Sequence, residues 1–121
     1  MKAEIKSFTH AINGIVYAIS SEKHMRFHLF AAVVVIVAGL FFDISITEWC
    51  MLILSMGAVI TAELINTAFE QLVNLVSPQQ HTIAGRVKDV AAGAVLIISI
   101  AAAIVGLMVF LPKMMLLITQ I

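Results

Sequence analysis

Apolar positions dominate this chain, and the places where their spacing changes mark its elements. From Met1 to His28, Phe8, Ile12, Ile15 and Ile19 recur at intervals of three and four, while Lys2, Glu4, Lys6, Glu22, Lys23 and Arg26 take other positions. That spacing puts the apolar set on one helical face, so the segment predicts an amphipathic helix lying at a membrane surface. Gly14 is the weak point in its continuity. A secretory signal is not expected, because its apolar run would follow the first basic residues directly and end in small ones.

Three near-continuous apolar runs follow. The first, Leu29 to Ile46, carries Asp43 as its only charge; its about 18 residues make roughly 27 Å of helix, enough to span. The second, Trp49 to Val76, opens on an aromatic residue suited to the membrane interface. Its first half is apolar, whereas its second half carries Glu63, Asn66, Glu70 and Asn74. The third, Val90 to Leu111, holds no charge and is expected to stop at Pro112-Lys113. Ser77-Pro78 should break the second helix ahead of a loop reaching Asp89. The expected fold is therefore all-α and integral to the membrane: one domain over residues 1–121, with a surface helix and three transmembrane helices.

Composition turns this pattern into an exclusion. The chain is 62% hydrophobic and 12% charged, against roughly 45–50% and about 25% for soluble domains. A mean hydropathy of +1.10 over 13.1 kDa is more apolar surface than so small a globule can hide. The net charge of +0 offers no basic field for nucleic acid, so no nucleic-acid partner is expected. Cys50, alone, is given no role. Six of the seven basic residues, Lys2, Lys6, Lys23, Arg26, Arg86 and Lys88, fall on one side of the spans. The positive-inside rule makes that side cytoplasmic, with the N-terminus inside and the C-terminus outside.

Chemistry concentrates in the second span. A charge inside a membrane helix costs about 2.5–3.5 kcal/mol on insertion scales, so Glu63 and Glu70 need a reason to be there. At about 100° per residue, Glu63, Asn66, Thr67, Glu70 and Asn74 share one face, with Glu70 about 10 Å beyond Glu63 along the axis. Two separate roles suit that spacing better than one compact dyad. Arg86, Lys88 and Asp89 stand at the start of the third span, followed by Ala91, Ala92, Gly93 and Ala94, which would let Lys88 and Asp89 pack close to Glu70. Glu22 and Arg26, four residues apart, form either an exposed pair or a third acid at the same depth. Carboxylates plus a lysine at an interface suit Mg²⁺ and a polyphosphate. Neither glycine-rich nucleotide loop is present, however, so an ATP site must be of another kind. His10, His24, His28 and His81 show no metal-ligand spacing and are expected to be interfacial.

Spacing alone leaves two further readings open. One is a non-catalytic small membrane protein whose polar stripe cements helices. The other is a cation channel, which would want polar residues through the full bilayer depth, where Trp49 to Ala62 is apolar.

Glu63-Leu64-Ile65-Asn66-Thr67-Ala68-Phe69-Glu70, followed after seventeen residues by Lys88-Asp89-Val90-Ala91-Ala92-Gly93-Ala94-Val95, closely resembles the signature of the small prokaryotic diacylglycerol kinase family. Glu22 with Arg26, and His81, Gly85 and Arg86, also fall where that family has like residues, so the likeness covers roughly residues 8–110. It implies a domain-swapped homotrimer in the bacterial plasma membrane that transfers the γ-phosphate of MgATP to a lipid hydroxyl. By the same resemblance Glu63 is the general base and touches the substrate, and Glu22 and Glu70 hold Mg²⁺. Gln79, Gln80, His81, Lys88 and Asp89, with Glu22 and Glu70, contact the nucleotide; Asn66 is a supporting polar group, and Ala92 lies by the lipid.

The sequence also departs from the family's pattern. Asn74 stands where many relatives have Asp, His28 where some have Glu, and the N-terminus is shorter than in the Gram-negative branch. Arg26-Phe27-His28 and Phe110-Leu111-Pro112-Lys113 look like the Gram-positive branch, whose members are similar to undecaprenol kinases. Undecaprenol is thus the expected acceptor, with diacylglycerol as the alternative.

Overall fold

The computed structural model describes all 121 residues. They form four helices: α1 (Lys2–Ser21), α2 (Lys23–Phe42), α3 (Ile46–Val76) and α4 (Thr82–Gln120). By length and composition α2, α3 and α4 can each cross a membrane.

The α1–α2 joint is a single residue, Glu22, in an extended conformation. Arg26 holds it: its Nη1 donates to the carbonyls of Ile19 at 2.9 Å and Ser20 at 3.0 Å, placing a cation on the negative end of α1. The exposed Glu22–Arg26 pairing allowed by their spacing is therefore not what Arg26 does. Met25 is fully buried at this corner, and Gly14 does not interrupt α1.

At the other end of the bundle, α2 closes on Asp43 in the left-handed region (φ 49), with the Ile44 N–H reaching back to the Gly39 carbonyl. Ser45 and Glu48 then cap α3 reciprocally, side chain to backbone at 3.2 and 3.0 Å. Glu48 also accepts from Lys113 Nζ at 2.8 Å, tying the start of α3 to α4. Trp49 is not simply an interfacial anchor: a Cβ on Gly39 would lie 2.5 Å from its Cη2, so its ring rests where only glycine leaves room. Ile44, Leu52 and Val109 form the apolar core here, with Val35, Phe42, Trp49, Met56, Val105 and Phe110 around them.

Several expected boundaries move. The first span runs Lys23–Phe42 rather than Leu29 to Ile46, because Asp43 closes α2, and Ile46 instead opens α3, ahead of Trp49, behind the Ser45 cap. α4 does not begin at Val90 but at Thr82, capped by His81, whose Nδ1 accepts from the Ile83 N–H at 3.1 Å. Nor does Pro112 end it, for α4 continues to Gln120 with the proline inside. Proline removes one backbone donor, a loss membrane helices tolerate, and Lys113 is fixed by Glu48 one residue later.

The helices bury little within one chain. Ten of 121 residues are buried, and five of these, Leu52, Val59, Glu63, Asn66 and Thr67, lie on α3. α3 is thus the helix on which the others pack, most extensively α4.

Candidate active site

The apolar half of α3 buries leucine and valine; one helical turn further on it buries a carboxylate. Glu63, Asn66 and Thr67 are 2%, 7% and 4% exposed. An ionisable group this deep, on a helix able to span a membrane, marks a functional position. Its partner across the bundle comes from α2: His28 Nε2 lies 3.8 Å from Glu63 Oε2, with both side chains largely covered. Along α3, Asn66 Nδ2 donates to Glu70 Oε1 at 3.3 Å, which orients the Glu70 carboxylate. Asn66 Oδ1 and Thr67 Oγ1, by contrast, are buried with no hydrogen-bond partner. Unpaired buried polar atoms are expensive, and they gather where a ligand completes them.

These side chains open into a cleft of about 370 Å³ lined by His24, Phe27, His28, Glu63, Asn66, Glu70, Ala92, Val95, Leu96 and Ser99. Three helices build it: α2 supplies the histidines, α3 the acids and α4 the small and apolar wall. One turn further along α3 a second, wider hollow of about 590 Å³ is lined by Asn74, Ser77, Gln79, Gln80, His81 and Lys88 among others. It is polar and faces the loop between α3 and α4. There Lys88 Nζ donates to Asn74 Oδ1 at 2.6 Å, and Ser77 Oγ donates to the Gln79 carbonyl at 3.2 Å.

The residues singled out in the sequence thus divide between two adjoining hollows. Glu63, Asn66, Glu70 and Ala92 share the first, and Gln79, Gln80, His81 and Lys88 share the second. Glu22 and Asp89 line neither; Asp89 is exposed and Glu22 half-buried at the α1–α2 joint. α4 does pack extensively on α3, with Ala92 in the cleft beside Glu63 and Glu70, while Gly93 itself faces open space, a Cβ there meeting nothing within 4 Å. Lys88 pairs with Asn74 rather than reaching Glu70.

Three polar residues of the first cleft, His24, His28 and Ser99, were not assigned to it from sequence. His28 was expected at the interface, yet it faces Glu63; the signal was its four-residue spacing from His24, which also lines the cleft. Ser99 is a single hydroxyl in an apolar run, and its Oγ is buried without a partner.

No three His, Cys, Asp or Glu side chains converge on one point of the chain. The oxygen donors beside one another are the Glu70 carboxylate and the unpartnered Asn66 Oδ1. That hard donor set suits Mg²⁺, which takes one or two carboxylates and completes its shell with water and phosphate.

Comparison with known proteins gives this geometry its context. The sequence profile of the prokaryotic diacylglycerol kinase family matches residues 9–110. The chain is 40% identical over 109 residues to the undecaprenol kinase of Bacillus subtilis, covering 90% of this chain and 89% of that one. It is 39% identical over 110 residues to a diacylglycerol kinase of Synechocystis, covering 90% of this chain and 63% of the relative. The diacylglycerol kinase of Escherichia coli K12 is 30% identical over 100 residues, 83% of this chain and 82% of its own. These matches remove the non-catalytic and channel readings. With its buried acids on a helix able to span a membrane, and a polar hollow one turn away, the chain belongs to the prokaryotic diacylglycerol kinase family and is a multi-pass membrane lipid kinase that uses ATP.

Proposed function

We propose that this kinase phosphorylates undecaprenol to undecaprenyl phosphate, with Glu63 as the general base. The observation that carries the reading is Glu63 itself, buried in a cleft that is polar toward Glu70 and apolar toward Val95 and Leu96. A lipid alcohol needs such a boundary. Glu63 accepts the hydroxyl proton as that oxygen attacks the γ-phosphorus of ATP, and the ADP oxygen leaves in line. His28 beside it and the wall of Phe27, Val95 and Leu96 limit water, which would otherwise compete as acceptor.

ATP lies in the neighbouring hollow. Gln79, Gln80 and His81 contact it from the loop, Lys88 leaves Asn74 to meet phosphate as a point charge, and Asp89 contributes from the rim. Glu70, oriented by Asn66, would hold Mg²⁺ at this site, and Glu22, which lines neither hollow of its own chain, would join it in the assembled trimer. When bound, the ion neutralises phosphate charge. Ala92 lies at the acceptor side of the first cleft.

The working unit is a domain-swapped homotrimer in the bacterial plasma membrane, each protomer one domain over residues 1–121. Support comes from the family to which the chain belongs; the apolar faces that one chain leaves exposed on α2 and α4 are open to lipid or to a second copy. α1 lies on the cytoplasmic membrane surface, the N-terminus is inside and the C-terminus outside, as the distribution of basic residues favours. Undecaprenol is preferred over diacylglycerol because the Bacillus relative that carries that name matches over nearly its whole length; the diacylglycerol kinases make phosphatidic acid formation the second reading.

The test supplies undecaprenol and diacylglycerol separately, in bilayers, with MgATP. Faster phosphorylation of undecaprenol, lost in Glu63→Gln and in Glu70→Ala, is the expected result. Preference for diacylglycerol would overturn the acceptor, and full single-turnover transfer by Glu63→Gln would overturn the base.

A further inference from the structure

Beneath the Glu63 cleft, toward the middle of the bundle, lies a separate apolar hollow of about 270 Å³ between α2, α3 and α4. Ten of its fourteen lining residues are hydrophobic, and much of its wall is small: Ala31, Ala32, Ala102, Ala103 and Gly106. It shares three residues with the cleft above, namely Phe27, His28 and Ser99. The two hollows are therefore consecutive compartments, with a histidine and a serine at the threshold.

Ser99 is the telling group. A serine inside a helix ordinarily bonds back to a carbonyl of the preceding turn, yet Ser99 Oγ is buried with no partner at all. Opposite it, His28 Nε2 stands 3.8 Å from Glu63 Oε2. A molecule with its chain in the apolar compartment and one hydroxyl at its end would set that hydroxyl at this threshold, in front of Glu63.

We infer that this hollow receives the first carbons of the acceptor's chain, that Ser99 and His28 hold its hydroxyl toward Glu63, and that this selects lipids bearing the alcohol at the end of a single chain. The inference rests on the lipid kinase reading above and narrows its substrate class. At about 30 Å³ for a water-sized group, the hollow takes roughly nine such groups, so the rest of a long chain remains in the bilayer.

Selection follows from what the hollow lacks. A diacylglycerol carries two ester groups within a few bonds of its hydroxyl, and these carbonyls need hydrogen-bond donors. The polar side chains of the hollow are His28, Ser55 and Ser99, and the Ser55 hydroxyl is already committed to the Met51 carbonyl at 2.8 Å. An ester carried into this space goes unpaired, whereas a polyprenyl or alkyl chain leaves nothing unsatisfied.

Two variants test this in bilayers with MgATP, using a polyprenol, a long-chain primary alcohol and a diacylglycerol as separate acceptors. Gly106→Leu fills the hollow, and since a Cβ there meets nothing within 4 Å the backbone tolerates the change. Ser99→Ala removes a hydroxyl that bonds to nothing in the protein, so it carries no folding burden. Both should raise the KM for polyprenol and for the alcohol, by about tenfold or more, while the KM for MgATP stays as in wild type; Ser99→Thr should restore the acceptor KM.

Acceptor kinetics unchanged in both variants of an active enzyme would overturn the inference while leaving the kinase reading intact. Unchanged kinetics with an altered oligomeric state in Gly106→Leu would overturn it too, assigning the hollow to a second copy of the chain. A wild type that phosphorylates none of the three lipids would overturn the kinase reading beneath it.

Discussion

The two halves of α3 are built to opposite rules. At the start of α3 the charged and capping groups are paired within the chain: Ser45 and Glu48 cap each other, Glu48 meets Lys113, and Leu52 sits in the core with Ile44 and Val109. From Glu63 to Val76 the same helix buries a carboxylate and leaves Asn66 Oδ1 and Thr67 Oγ1 unpaired. One half is satisfied within the chain and the other is not. The satisfied half holds the helices in register, and the unsatisfied half keeps its polar groups for substrates, at a cost in stability the rest of the bundle must offset.

Substitutions should separate the halves cleanly. The largest effect is expected at Glu63→Gln, with kcat down by about 10²–10⁴-fold and thermal stability unchanged or raised, because a buried carboxylate is replaced by its neutral isostere; single-turnover kinetics and a melting curve check both parts. Asn66→Ala frees Glu70 from its hydrogen bond and should raise the Mg²⁺ requirement, read from a metal titration of activity, while Glu70→Ala abolishes most of the rate. Lys88→Met should raise the KM for ATP by about tenfold or more and leave acceptor binding unchanged, as initial rates at varied ATP would reveal.

In the other half the order reverses. Gly39→Ala drives a Cβ to 2.5 Å from the Trp49 ring and should destabilise the bundle by about 1–3 kcal/mol, with normal activity per folded molecule. Glu48→Gln gives the smallest effect, a slight fall in melting temperature from the loosened contact with Lys113 and no change in rate.

Much of this division was legible along the chain. The stripe Glu63, Asn66, Thr67 and Glu70 needs only the 3.6-residue period to be seen, and the expensive placement of acids in an apolar helix says that it matters. Spacing could not say which of those groups find partners, because the partners come from other helices: His28 reaches Glu63 across the α2–α3 contact. Lys88 was expected at Glu70 but pairs with Asn74, one turn further along α3, where a side-chain amide oxygen accepts from it at 2.6 Å. The ends of α4 were misplaced for a similar reason. His81 starts it early by capping, and Pro112 cannot stop a helix whose next residue is anchored by Glu48. Roles such as nucleotide contact at Gln79 and Gln80 rested on family resemblance, for nothing in glutamine spacing implies them.

The central claim is that the buried acid of α3 takes the proton of a lipid hydroxyl. It is tested most directly by mixing bilayer-embedded enzyme, preloaded with undecaprenol, with MgATP and following phosphate transfer in a single turnover, for wild type and Glu63→Gln. Rapid transfer by wild type and a loss of about 10²-fold or more in the variant, with ATP still bound, is the predicted result. Transfer at equal rates in both would contradict it and return Glu63 to a packing role.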